Sequence, residues 1–149
     1  MAEALFYHLT ESTLEEALPP LLEKSLERGW RVVVQVGGEE RRDALDQHLW
    51  TFRDDSFLAH GTERDPHPGR QPVLLTCTEA NPNGARVRFL VDGAVAPDLS
   101  GYERAVFMFD GHDEAQLAQA RGAWKAVKAA GHAATYWQQT PQRRWEKKA

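Results

Sequence analysis

The sequence predicts a single-domain α/β fold with a mostly parallel sheet and helices on both faces. Short runs of β-branched and aromatic residues alternate with segments of helical period, the pattern of strands joined by crossover helices. Two of those runs, RVVVQV at 31–36 and AVFMFD at 105–110, are almost continuously apolar, as expected of strands covered on both sides. A length of 149 residues at 42% hydrophobic supports one core and leaves no room for two domains of ordinary size.

Residues 4–9 (ALFYHL) read as a first strand, followed by the capping residues Thr10, Ser12 and Thr13. Leu14, Leu18, Leu21, Leu22 and Leu26 then fall near helical spacing up to Gly29, and Pro19-Pro20 predicts a kink or restart inside that helix. Residues 31–36 form the second strand and 39–50 the second helix, marked on one side by Ala44, Leu45, His48 and Leu49. Residues 51–71 contain Gly61, Pro66, Pro68 and Gly69 and little periodicity, which predicts a long surface loop anchored by Phe57 and Leu58. A short strand is expected at 73–76, a turn at Asn81-Pro82-Asn83-Gly84, and a strand at 86–91 closed by Asp92-Gly93. Because Arg86, Val87, Arg88 and Phe89 alternate polar and apolar, that strand should be half exposed. After the strand at 105–110, Asp113 or Glu114 opens a helix to about Ala130, Gly131 ends it, and 133–137 reads as the last strand. The domain is expected to span 1–138, with 139–149 a polar, basic C-terminal tail.

A net charge of −4 argues against a protein built chiefly to grip a phosphate backbone, an affinity that comes from many lysines and arginines. The cations are unevenly placed, however, and crowd toward the C-terminus, where a local positive surface suits a small acidic partner. No run of about 18 apolar residues occurs and the N-terminal stretch has the wrong charge for a secretory signal, so a cytoplasmic protein is expected. The single cysteine, Cys77, lies in the run VLLTC without a thiolate-stabilising neighbour and reads as a small buried side chain.

Three constellations could carry chemistry. The strand-to-helix turn Val36-Gly37-Gly38-Glu39-Glu40 stands where such folds bind phosphate, but it lacks the glycine fingerprint and the phosphate-binding lysine, and it puts two glutamates where a phosphate would sit. Those acids complement the helix dipole instead. Asp110, His112 and Asp113, at a strand C-terminus, could hold a metal or act as acid and base, and could equally make an ordinary turn with an acidic helix cap. The third is the helix from 114 to about 130. At about 100° per residue, Arg121, Lys125 and Lys128 fall within an arc of roughly 60°, with Ala120, Ala123, Val127 and Ala130 opposite and Trp124 at the seam. Cations beside an aromatic ring can hold a peptide with an apolar anchor and carboxylates, and the same pattern can be a solvated basic face.

Short stretches along nearly the whole chain resemble the chi-subunit family of bacterial DNA polymerase III holoenzymes. They include Phe6-Tyr7 with Leu9, Leu49-Trp50, Phe57 with His60-Gly61, Asn83-Gly84-Ala85, Val91-Asp92-Gly93, Tyr102-Glu103-Arg104, Phe109-Asp110-Gly111, Ala120-Arg121 with Trp124-Lys125, and Tyr136-Trp137. The resemblance implies a nucleotide-binding-like topology without a nucleotide site, and a non-catalytic, cofactor-free accessory subunit of the clamp loader. It implies binding of the acidic C-terminal tail of single-stranded-DNA-binding protein, which ends in a phenylalanine carboxylate, and contact with DNA only through that partner. Carried onto this sequence, Arg121 and Lys125 would meet the tail's carboxylates, Trp124 would stand beside them, and Trp50 and Phe57 would form the apolar side of the pocket. Lys128 joins them by helical geometry. Leu117 is a departure, being apolar where some members carry another cation. The family also pairs with a second accessory protein, psi, for which Trp137 and Trp145 are candidate contacts. Outside the resemblance, two other classes remain open: a small metal-dependent hydrolase at Asp110, His112 and Asp113, and a direct single-stranded nucleic-acid binder.

Overall fold

The computed structural model describes residues 2–51 and 58–149. Strands and helices alternate as β1 (Glu3–Leu9), α1 (Leu14–Glu27), β2 (Val32–Val36), α2 (Glu39–Thr51), β3 (Gly61–Thr62), β4 (Val73–Thr76), β5 (Val87–Val91), β6 (Arg104–Asp110), α3 (Glu114–Ala129), β7 (Ala133–Gln139) and β8 (Trp145–Lys147). They build one sheet in the order β3-β4-β2-β5-β6-β1-β7-β8, parallel throughout except for the antiparallel β7–β8 pair.

Alternation along each strand divides the interior into two layers. Val32, Val34 and Val36 of β2 join Leu18 and Leu22 of α1 and Leu45 and Leu49 of α2 on one side of the sheet. Val33 points the other way, into a layer with Phe6, Phe107 and Phe109 and with Ala120 and Val127 of α3. The parallel α/β sandwich expected from the apolar runs is the fold found.

Local chemistry explains the helix boundaries. The Thr13 hydroxyl accepts from the Glu16 backbone N–H at 3.2 Å while the Glu16 carboxylate accepts from the Thr13 N–H at 3.1 Å, a reciprocal cap that starts α1. Despite Pro19 and Pro20, α1 is one helix from Leu14 to Glu27 rather than two. Pro19 has no N–H to offer the carbonyl of Glu15, four residues back, and Nε2 of His48 on α2 lies 2.6 Å from that oxygen. The proline therefore leaves an acceptor free that links α1 to α2.

Four expectations need correction. The long segment after α2 contributes β3, an edge strand beside β4, a brief pairing that a two-residue run cannot announce by periodicity. Strand β5 is buried along its whole length, not half exposed, and Arg88 is 0% exposed. Its guanidinium donates through Nε and Nη2 to Gln35 Oε1 (3.0 and 2.7 Å), through Nη2 to Thr78 O (2.7 Å), and through Nη1 to Ala80 O (3.2 Å) and Tyr102 Oη (2.9 Å). Burial is possible because all of its N–H groups find oxygen. Cys77 is only partly buried, 4.0 Å from Arg42 Nη1, and burial raises its thiol pKa against that guanidinium. Finally, the stretch expected to be a tail carries β8: Trp137 pairs with Lys147 and Gln139 with Trp145, and Trp145 packs edge-on to Tyr7 with centroids 4.7 Å apart.

Candidate functional site

Helix α3 opens at Asp113, whose carboxylate accepts from the N–H groups of Ala115 (3.0 Å) and Gln116 (3.2 Å). Ala120 and Val127 are buried against the sheet, and Leu117, Ala123 and Trp124 pack partly buried beside them. That fixes the rotation of the helix and leaves Arg121, Lys125 and Lys128 exposed along its outer side. Among the described residues, no carboxylate forms an ion pair with any of the three. Leu117 is occupied in packing, so its apolar character serves the core edge.

The aromatic flank of this cation row is wider than Trp124. The Trp124 ring meets Phe6 at 5.2 Å and Tyr136 at 6.0 Å, both edge to face, and Lys128 Nζ stands 5.1 Å from the Trp124 ring centre. Tyr136, on β7, lies 2.9 Å through its hydroxyl from His8 Nδ1, and burial raises its phenol pKa against the pull of the Arg121 charge. His8 has its imidazole pKa lowered by burial and by His112, with Asp110 opposing. Tyr136 is a neighbour of this candidate site that the sequence reading did not single out. The available signal was its spacing of two from Ala134, which puts both on the α3 side of β7.

Trp50 does not join this surface. It lies on α2, whose buried residues Leu45 and Leu49 pack on the opposite side of the sheet from α3. It is 49% exposed, with its ring 4.3 Å from that of His60. Phe57 lies outside the described residues. The expected single pocket of Trp50, Trp124 and the α3 cations is therefore divided by the sheet. Beneath Trp50, buried His60 has Nδ1 2.6 Å from Leu58 O and Nε2 3.0 Å from Asp46 O, so its ring ties α2 to the segment before β3.

The other constellations have structural uses. A Cβ on Gly37 would stand 1.9 Å from the carbonyl oxygen of Asp92, so that glycine permits the β2–α2 turn to press against the turn after β5. Asp110 Oδ1 accepts from the His112 N–H at 2.8 Å, and His112 Nε2 lies 2.8 Å from Thr10 O, while Asp113 caps α3. Among the described residues, no group of three histidine, cysteine or acidic side chains is arranged to hold a metal. No described helix is long and apolar enough to cross a membrane.

Residues 1–135 match the family model described as "DNA polymerase III chi subunit, HolC". A curated relative, the "Probable DNA polymerase III subunit chi" of Rickettsia prowazekii (strain Madrid E), is 29% identical over 91 residues, 61% of this chain and 55% of that protein. The matched part thus spans about half the length of that relative.

Proposed function

We propose, from the premise that this chain belongs to the DNA polymerase III chi-subunit family, that it is a non-catalytic adaptor of DNA replication. In this reading α3 holds the acidic C-terminal tail of single-stranded-DNA-binding protein, the chain joins the clamp loader with a psi partner, and it meets DNA only through its partners. The observation that carries the proposal is the row of Arg121, Lys125 and Lys128, exposed, without ion-pair partners among the described residues, and flanked by Trp124 and Tyr136. Such a row has its charge available to a carboxylate-rich peptide, and the rings beside it offer an apolar contact for a terminal phenylalanine. Trp50 is left out of the tail site because it sits across the sheet from α3.

The test is a titration of the full chain with the tail peptide. Binding at about micromolar strength should weaken as salt rises and should be largely lost without the terminal phenylalanine. Arg121→Ala and Lys125→Ala should each cost about 1–3 kcal/mol, the range for charge-assisted contacts. Undiminished binding in both variants would sink the assignment, as would tight binding of naked single-stranded DNA at the same residues.

A further inference from the structure

On the side of the sheet away from α3, α1 packs over β2 and β6, and α2 over β2, β3 and β4. The β1–β7–β8 end of that side is an open groove. Tyr7, Trp137 and Trp145 form its floor, and Ala17, Pro20 and Leu21 of α1 form one wall. Tyr7 and Trp137 are opposed on neighbouring strands, and the β7–β8 turn, closed by the Thr140 N–H to Arg144 O bond of 2.8 Å, brings Trp145 back onto Tyr7. All three rings are only partly buried.

Past Tyr7 and Leu21 the groove continues between Lys24, Arg28 and Arg104. Lys24 is exposed and has no ion pair among the described residues. Arg28 lies over the Trp30 ring at 5.2 Å, Arg104 pairs with Glu3 at 3.2 Å, and Arg143 at the other end pairs with Glu16 at 3.1 Å. Four cations line the two ends of the groove against three carboxylates, the lining Glu16 and Glu27 and the Glu3 paired with Arg104, so a chain of net charge −4 is locally positive here by one charge. Trp137, Arg143 and Trp145 all lie beyond the residues that the family model matches.

We propose that this groove docks a short acidic peptide segment of a partner protein. An aliphatic or aromatic side chain of the segment seats between Leu21, Tyr7 and Trp145, and a carboxylate reaches Lys24 or Arg28. The local charge selects an anionic occupant, and the apolar wall selects one with a hydrophobic anchor. A single nucleic-acid strand fits less well. Tyr7 and Trp145 meet edge to face at 68° and offer no succession of parallel stacking faces, and two of the four cations are already paired.

The experiment follows the two indole N–H signals of Trp137 and Trp145 by nuclear magnetic resonance. The full chain is titrated with an acetylated, amidated decapeptide of alternating aspartate and leucine, with oligothymidylate in parallel, and sedimentation reports self-association. The peptide lacks a free C-terminal carboxylate and so does not imitate the ligand proposed for α3. Saturable shifts of both indoles are expected, weakened at least about fivefold by Lys24→Glu and by Trp137→Ala but unchanged by Arg121→Ala, while Lys24→Glu binds the tail peptide like the parent. No saturation by about 1 mM, shifts confined to α3, or full binding by Lys24→Glu overturns the proposal. So does stronger shifting of the same indoles by oligothymidylate, or a dimer that Trp145→Ala abolishes.

Discussion

Replacing Arg88 by methionine removes a fully buried cation whose partners are all neutral. The guanidinium makes five donated bonds of 2.7–3.2 Å, and they connect β5 to β2 through Gln35, to the segment after β4 through Thr78 and Ala80, and to the stretch before β6 through Tyr102. Gln35 extends the link by donating from Nε2 to Val95 O at 2.8 Å. Methionine fills similar space but donates nothing, so the buried Gln35 oxygen and the carbonyls of Thr78 and Ala80, which belong to exposed residues that water can reach, lose a donor. The Tyr102 hydroxyl can turn to donate elsewhere. At about 1–3 kcal/mol for the unsatisfied buried Gln35 oxygen, and less for the two carbonyls that water can reach, the loss should be about 2–4 kcal/mol. With a urea slope of about 2 kcal/mol/M, the middle of the range for a small domain, the unfolding midpoint should fall by about 1–2 M. Changing Gln35 to methionine as well should cost much less than the sum of the single changes, because the first change already orphans the Gln35 oxygen. A loss below about 1 kcal/mol in Arg88→Met, with a native circular dichroism spectrum, would refute the reasoning.

Gly37→Ala should lower stability by about 1–3 kcal/mol in urea melts, since its Cβ would collide with the Asp92 carbonyl, whereas Gly38→Ala meets nothing within 4 Å and should cost far less. His48→Ala should cost about 1–2 kcal/mol by stranding the Glu15 carbonyl, and Pro19→Ala in that background should recover part of the loss by restoring an N–H donor. His8 has its pKa lowered in the fold, so the neutral form is preferred; its contribution is complete above the unfolded value of about 6.5 and is lost as pH falls from there through the folded value. The decline of stability between pH 7 and pH 5 should accordingly be shallower in His8→Gln than in the parent, and an equal slope would count against this role.

Much of the fold was legible because its strands are short, apolar and regularly separated by helical spacing. Strands β2 and β6 announced themselves by continuous apolar runs, and α3 by Ala120 and Val127 opposite a row of cations. What failed was information that depends on distant chain segments. The alternation of Arg86 through Phe89 looked half exposed because a sequence cannot say that the segments holding Thr78, Ala80 and Tyr102 will close over Arg88. β8 was hidden in a polar stretch because its stability comes from pairing with β7 and from one ring, Trp145, against Tyr7. The cation row of α3 could be read from helical period alone. Its separation from Trp50 could not, because both helices follow parallel strands and the side each one covers is decided by the path of its crossover.

That α2 and α3 lie on opposite sides of one sheet also governs how binding events add. A molecule seated on the α3 cations and another seated around Trp50 would touch no residue in common, and neither would block the approach of the other. Their binding free energies should sum, with a coupling term near zero unless the sheet itself has two arrangements. With two such ligands the chain would be a passive bridge: shared attachment would raise the concentration of one near the other, and releasing either would leave the grip on the second unchanged.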